Sequence, residues 1–120
     1  MTPNAAISSH QLAVVIVNFG TGSKVLKIAK NAGVTGGTIC LGRGTVKSAL
    51  LDMLSLNDVR KEIVLMISDT ETAFRALENI SQGLRLDKPN HGIAFSTNLA
   101  GFFGLLVQSD QRKEFETMEE

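Results

Sequence analysis

Apolar side chains follow two alternating rhythms along this chain. Leu12–Phe19 (LAVVIVNF) is β-branched and almost continuously apolar, the pattern of a buried strand. Gly20, Thr21, Gly22 and Ser23 break it, and Thr21 or Ser23 is placed to cap a helix. From Lys24 to Ala32 the spacing becomes helical. Val25, Ile28, Ala29 and Ala32 form one face, and Lys24, Lys27 and Lys30 lie on the wetter side. Gly33 is a natural stop. Gly36–Leu41 (GGTICL) reads as a second strand and Glu62–Ile67 (EIVLMI) as a third. Ser68 with Glu71 matches a capping box, with Asp69 as the alternative cap. Ala73, Phe74, Leu77, Ile80 and Leu84 then predict a helix over Thr70–Leu84. A polar loop, Arg85–His91, leads to a fourth strand, Gly92–Thr97, and Leu99–Val107 reads as a short extra strand or turn against the sheet.

Gly42–Lys61 breaks both rhythms. It opens on Gly42, Arg43, Gly44 and Thr45, and Val46, Ala49, Leu50, Met53 and Leu54 mark a short amphipathic helix within it. It is too long for a hairpin turn, and long loops in compact domains are usually functional.

The order is therefore β-α-β, a long insertion, then β-α-β. Two helices on one face of a four-stranded antiparallel sheet is the ferredoxin-like α+β solution for such a chain. Both LAVVIVNF and EIVLMI are apolar on two faces, so the face opposite the helices needs a cover. Packing against other copies of the chain supplies one, which predicts an oligomer.

Composition narrows the function classes. The 120 residues suit one domain, taken as 11–107, with a flexible lead over 1–10 and a charged tail over 108–120. Twelve basic and twelve acidic side chains cancel, which argues against a nucleic-acid binder. The apolar run Leu12–Val17 is too short to cross a bilayer, and Met1–His10 lacks the pattern of a signal peptide. With one cysteine, Cys40, read as a small buried hydrophobe in mid-strand, the expected compartment is the cytoplasm. No triad or carboxylate pair stands out, and neither His10 nor His91 has metal-ligand spacing to another donor.

Several segments carry a resemblance: VNFGTGSKVLKIAKNAGVTGGTICLGRGT, then EIVLMISDTETAFRALENI, then KPNHGIAF. Together they resemble the P-II nitrogen-regulatory superfamily over about 11–104. Ala32-Gly33-Val34-Thr35-Gly36 matches its A-G-x-x-G turn, and Gly42-Arg43 matches the G-R element that opens its long T-loop. Its second loop, the B-loop, falls within Leu86–Gly92. The resemblance implies a P-II-like homotrimer, not an enzyme. It would bind an adenine-type nucleotide (ATP, ADP, AMP or a cyclic nucleotide) at subunit clefts and require no cofactor. A loop over 42–61 would control a partner protein, such as a membrane transporter, in nitrogen regulation or related signal transduction.

The chain departs from that family at three points. It has no tyrosine, so uridylylation of a T-loop tyrosine is excluded. Leu86–Gly92 replaces the T-G-x-x-G-D-G-K signature, and the family's C-terminal arginine pair is reduced to Arg112. These features describe a divergent branch.

Each candidate residue has a plainer alternative. Gly42, Arg43, Gly44 and Thr45 form a phosphate-gripping element or an exposed turn. Lys88, Asn90, His91 and Gly92 form an anion-binding turn or a shaped helix-to-strand connection. Thr35, Gly36, Gly37 and Thr38 cradle a base or ribose, or simply start a closely packed strand. Val46, Leu50, Met53 and Leu54 dock a partner or tuck into the assembly's own core. Two rival functions remain: a non-sensing structural trimer of the divalent-cation-tolerance type, and a small acylphosphatase-like hydrolase. The hydrolase is disfavoured because Gly20–Ser23, where its arginine-bearing loop should lie, has no arginine.

Overall fold

A computed structural model of the chain describes residues 10–45 and 58–104. The elements run β1 (His10–Asn18), α1 (Gly22–Asn31), β2 (Thr38–Thr45), β3 (Asp58–Asp69), α2 (Thr70–Gly83) and β4 (Ile93–Asn98). The sheet order is β2-β3-β1-β4, with every neighbouring pair antiparallel. This is the expected ferredoxin-like β-α-β-β-α-β arrangement.

Strand alternation sorts the sheet into two faces. Ala13, Val15 and Val17 of β1 with Val64 and Met66 of β3 are buried against Val25 and Ala29 of α1 and Ala76 and Ile80 of α2. The opposite face carries Leu12, Val14 and Ile16 beside Ile63, Leu65 and Ile67, with Ile93 and Phe95 on β4. No helix covers this face among the described residues, and Ile93 is 55% and Phe95 44% exposed.

The β2–β3 ladder is longer than the sequence pattern predicts. It pairs Thr38 with Leu65 at one end and Thr45 with Asp58 at the other. Gly42–Thr45 and Asp58–Lys61 are therefore paired strand, not loop. Cross-strand hydrogen bonding stabilises polar and glycine-bearing stretches that apolar periodicity does not mark. The candidate partner residues Val46, Leu50, Met53 and Leu54 lie outside the described residues, as do 1–9 and 105–120.

The structure decides several local expectations. His10 is no part of a loose lead: it opens β1, pairs with Asp69, is fully buried and packs at a tilt against Phe102 with ring centroids 5.0 Å apart. Cys40 is exposed because it lies on the edge strand β2, across from Ile63 on the uncovered face. Thr21 occupies the N-cap position of α1 but makes no side-chain cap bond; Glu62 Oε1 accepts from Gly22 N instead. For α2 the cap is Asp69, the alternative that the sequence offered to Ser68; its Oδ2 accepts from Thr72 N at 3.0 Å. The described part of the region expected as an extra strand or turn, 99–104, forms no strand.

Candidate functional site

The candidate residues fall at opposite ends of the sheet. Thr35–Thr38 precede and open β2, at the end where β1 begins. Gly42–Thr45 close β2 at the other end, where β1 stops and β4 starts after the 84–92 turn. Four strand steps separate Thr38 from Gly42, about 13 Å.

At the first end, Leu12, Thr35, Gly36, Gly37, Thr38, Leu65 and Ile67 line an open cavity of about 480 Å³. Its floor is the uncovered sheet face and its rim is the loop leaving α1. The rim is held from both sides. Gly33, at φ +113°, ends the helical turn and donates to Lys30 O at 3.0 Å. Arg75 of α2 grips Ala32 O with Nε at 3.1 Å and Nη2 at 2.9 Å, a cation at the negative end of α1. Gly37 is required by packing: a Cβ there would lie 2.7 Å from both Leu26 Cδ2 and Met66 Cγ, and 2.9 Å from the Leu65 carbonyl oxygen. The plainer reading of Gly37, a closely packed strand start, therefore accounts for this glycine.

At the second end, Arg43 pairs across the ladder with Arg60, and both lie on the helix side of the sheet. The Arg60 guanidinium sits 4.1 Å from the centroid of the Phe19 ring, a cation–π contact. Gly42 and Gly44 point to the other face, but the space beside them is filled from within the chain. A Cβ on Gly42 would lie 3.1 Å from Ile63 Cδ1, and one on Gly44 would lie 2.9 Å from Lys61 Cε. These glycines thus admit neighbouring side chains to the sheet.

The 84–92 turn is braced internally. Arg85 forks onto Asp87, with Nε–Oδ1 and Nη2–Oδ2 both 3.2 Å, and this hydrogen bonding holds the Asp87 carboxyl below its ordinary pKa. His91 Nδ1 lies 2.9 Å from Leu84 O; the carbonyl accepts, so this nitrogen carries the proton. Gly92, at φ +134°, lets the chain pass Ile16: a Cβ would come 2.7 Å from the Ile16 carbonyl oxygen. Asn90, at φ 64°, has its carbonyl bonded by Asn18 Nδ2 at 3.2 Å. Lys88, Arg43 and Arg60 are exposed and Lys61 is half-buried, and none of them makes an ion pair among the described residues. Arg43 and Arg60 thus lie on the helix side at the β2 edge, Lys61 on the opposite face, and Lys88 in the turn before the other edge strand, β4, all toward the same end of the sheet.

Sequence reasoning missed Asn18, Arg60, Lys61 and Glu62. For the last three the signal was the alternation R-K-E at the start of β3, which sends Arg60 and Glu62 to the helix side and Lys61 to the other. That signal is legible only once the strand is known to begin at Asp58.

No family model and no curated protein matches the chain. Solved structures do. A PII-like signalling protein of Thermus thermophilus aligns with a TM-score of 0.54 and 17% identity, over 75% of this chain and 85% of that one. PII of Arabidopsis thaliana, solved with citrate bound, aligns with a TM-score of 0.60 and 17% identity, over 77% and 78%. The fold is that of the PII-like proteins. At this identity the likeness is one of backbone architecture. Within the PII-like fold the present chain keeps the four-stranded sheet and both helices. Among its described residues no three or more His, Cys, Asp or Glu side chains cluster as metal ligands, and no helix is long and apolar enough to cross a membrane.

Proposed function

We propose that this PII-like chain is a regulatory protein that binds an adenine-type nucleotide in clefts between identical copies. On this reading it controls a partner protein through the 46–57 segment and catalyses no reaction. The observation that carries the reading is the division of the candidate residues between two ends of one sheet whose intervening face is apolar and uncovered. Residues about 13 Å apart along a strand do not close on one ligand within a copy. Packing the open faces of three copies would bring the Thr35–Thr38 rim of one toward the basic end of its neighbour.

In that cleft the base would rest on Leu12, Leu65 and Ile67, with the Thr35 and Thr38 hydroxyls at the rim. Arg43 and Lys88 would meet the phosphates, because neither cation is neutralised by an ion pair among the described residues. Citrate bound to the Arabidopsis protein supports a small polyanion as the general class of ligand for this fold. The paired ends of the 46–57 segment, Thr45 and Asp58, sit beside the cationic groups, so a bound anion would bear directly on the segment's anchors. A partner such as a membrane transporter, and action in the cytoplasm, follow from the same reading.

Calorimetry of the purified protein against ATP, ADP, AMP and cyclic nucleotides, alongside its mass in solution, tests this. Binding by a trimer, weakened about tenfold or more by Lys88→Ala or Arg43→Ala, is expected. A trimer silent to every nucleotide would leave only a structural role of the divalent-cation-tolerance kind. A monomer would overturn the cleft itself.

A further inference from the structure

Two side-chain hydrogen bonds join three separate stretches of backbone at the basic end of the sheet. Lys61, near the start of β3, donates from Nζ to Asn18 Oδ1 at 2.7 Å. Asn18, the last residue of β1, donates from Nδ2 to the Asn90 carbonyl at 3.2 Å. Its amide orientation follows from its neighbours: an ammonium only donates and a carbonyl only accepts, so one orientation alone satisfies both. Lys61 reaches Asn18 along a groove that Gly44 leaves open. A Cβ on Gly44 would lie 3.1 Å from Lys61 Cγ and 2.9 Å from Cε.

We infer that Asn18 is a positioning residue that couples the two strands flanking the 46–57 segment to the 84–92 turn. Gly44 lies just before that segment and Lys61 just after it, and Asn90 lies in the turn with Lys88 and His91. The line of contact therefore runs Gly44, Lys61, Asn18, Asn90. A movement of the β2–β3 ends that lifts the Lys61 stem from Gly44 draws the ammonium from Asn18 and frees the amide that fixes the turn. The effect is reciprocal: a ligand that holds the turn favours the strand arrangement in which Lys61 is engaged. The meaning of this coupling for signalling rests on the reading of the turn as a ligand contact; the coupling itself needs no ligand.

Amide hydrogen exchange of the full chain, without nucleotide, tests it. Lys88 N–H and His91 N–H donate within the turn, to Arg85 O and Lys88 O, and report its opening. Lys61→Met keeps an unbranched stem over Gly44 and removes the ammonium. It is expected to speed exchange at both amides about two- to fivefold, as Asn18→Ala does, with the double variant no faster than either alone. Asn18→Asp keeps the acceptor for Lys61 but loses the donor to Asn90, and is expected to loosen the turn equally. If Lys61→Met left both amides at the wild-type rate while Asn18→Ala sped them, the line would end at Asn18 and the inference would fail. Faster exchange throughout the sheet in Lys61→Met would also overturn it. Absence of nucleotide binding would instead overturn the proposed function and leave these rates unaffected.

Discussion

Glu62 Oε1 accepts the N–H of Gly22, so a carboxylate from the middle of the sheet closes the first turn of α1 at 2.6 Å. The helix has no acidic residue in its own first turn and no side-chain bond from its N-cap, so this is its main terminal anchor. A negative group there also meets the positive end of the helix dipole. Glu62→Ala should destabilise the fold by about 1–2 kcal/mol, read as a shift in the urea midpoint. Gly22→Ala should cost a similar amount, because a Cβ would lie 2.7 Å from that oxygen and 3.2 Å from Ile39 Cδ1.

Asp69 performs the same office for α2, from within the chain's own sequence. Burial pushes its pKa up, but hydrogen bonds from the Thr72 side chain and backbone, with attraction to His10, outweigh this and leave it below the ordinary value of 3.8. A depressed carboxylate pKa stabilises the fold fully above the ordinary value and loses that contribution as pH falls through the folded one. Asp69→Ala should therefore cost about 1 kcal/mol near neutral pH. The stability curves of variant and wild type should converge as pH falls below the ordinary carboxylate value and through the lowered folded one.

Two glycines are expected to tolerate no side chain. Gly37→Ala forces a Cβ against the Leu65 carbonyl, a backbone atom that cannot turn aside, and should cost about 2–3 kcal/mol. Gly92→Ala combines a positive φ with a clash against the Ile16 carbonyl and should cost about as much. Differential scanning calorimetry would detect both. Neither variant is a clean probe of ligand binding, because each disturbs the frame first.

The uncovered face makes a prediction of its own. Phe95→Asp or Leu65→Asp places a charge among apolar side chains that a single copy leaves open. Each is expected to yield monomers by light scattering, with the circular dichroism of the folded domain retained. If the variants kept the wild-type mass, assembly through this face would be refuted.

Much of the architecture was readable in advance because it rests on periodicity. The apolar runs of β1 and β3, and the helical stripe Ala73, Leu77 and Ile80, each have one face to bury and one geometry that buries it. Element ends were less legible. The ladder from Gly42 to Thr45 has glycine at two of its four positions, and it exists because Asp58–Lys61 offer partners on the far side of the insertion. The cap of α1 lies forty positions away, at Glu62, beyond the reach of any local capping rule. At the candidate site, the sequence marked Arg43 and Lys88 by their glycine-bearing surroundings. It did not reveal that those glycines serve Ile63 and Lys61, because that follows from cross-strand register.

The pairing of Thr45 with Asp58 has a consequence for how such a protein diversifies. A segment whose two ends already stand one strand spacing apart can change length at small entropic expense, about 0.6 kcal/mol for each doubling. The sheet beneath it would not register the exchange. The stretch between Thr45 and Asp58 can therefore be exchanged for one of another length while the pair that anchors it stays in register.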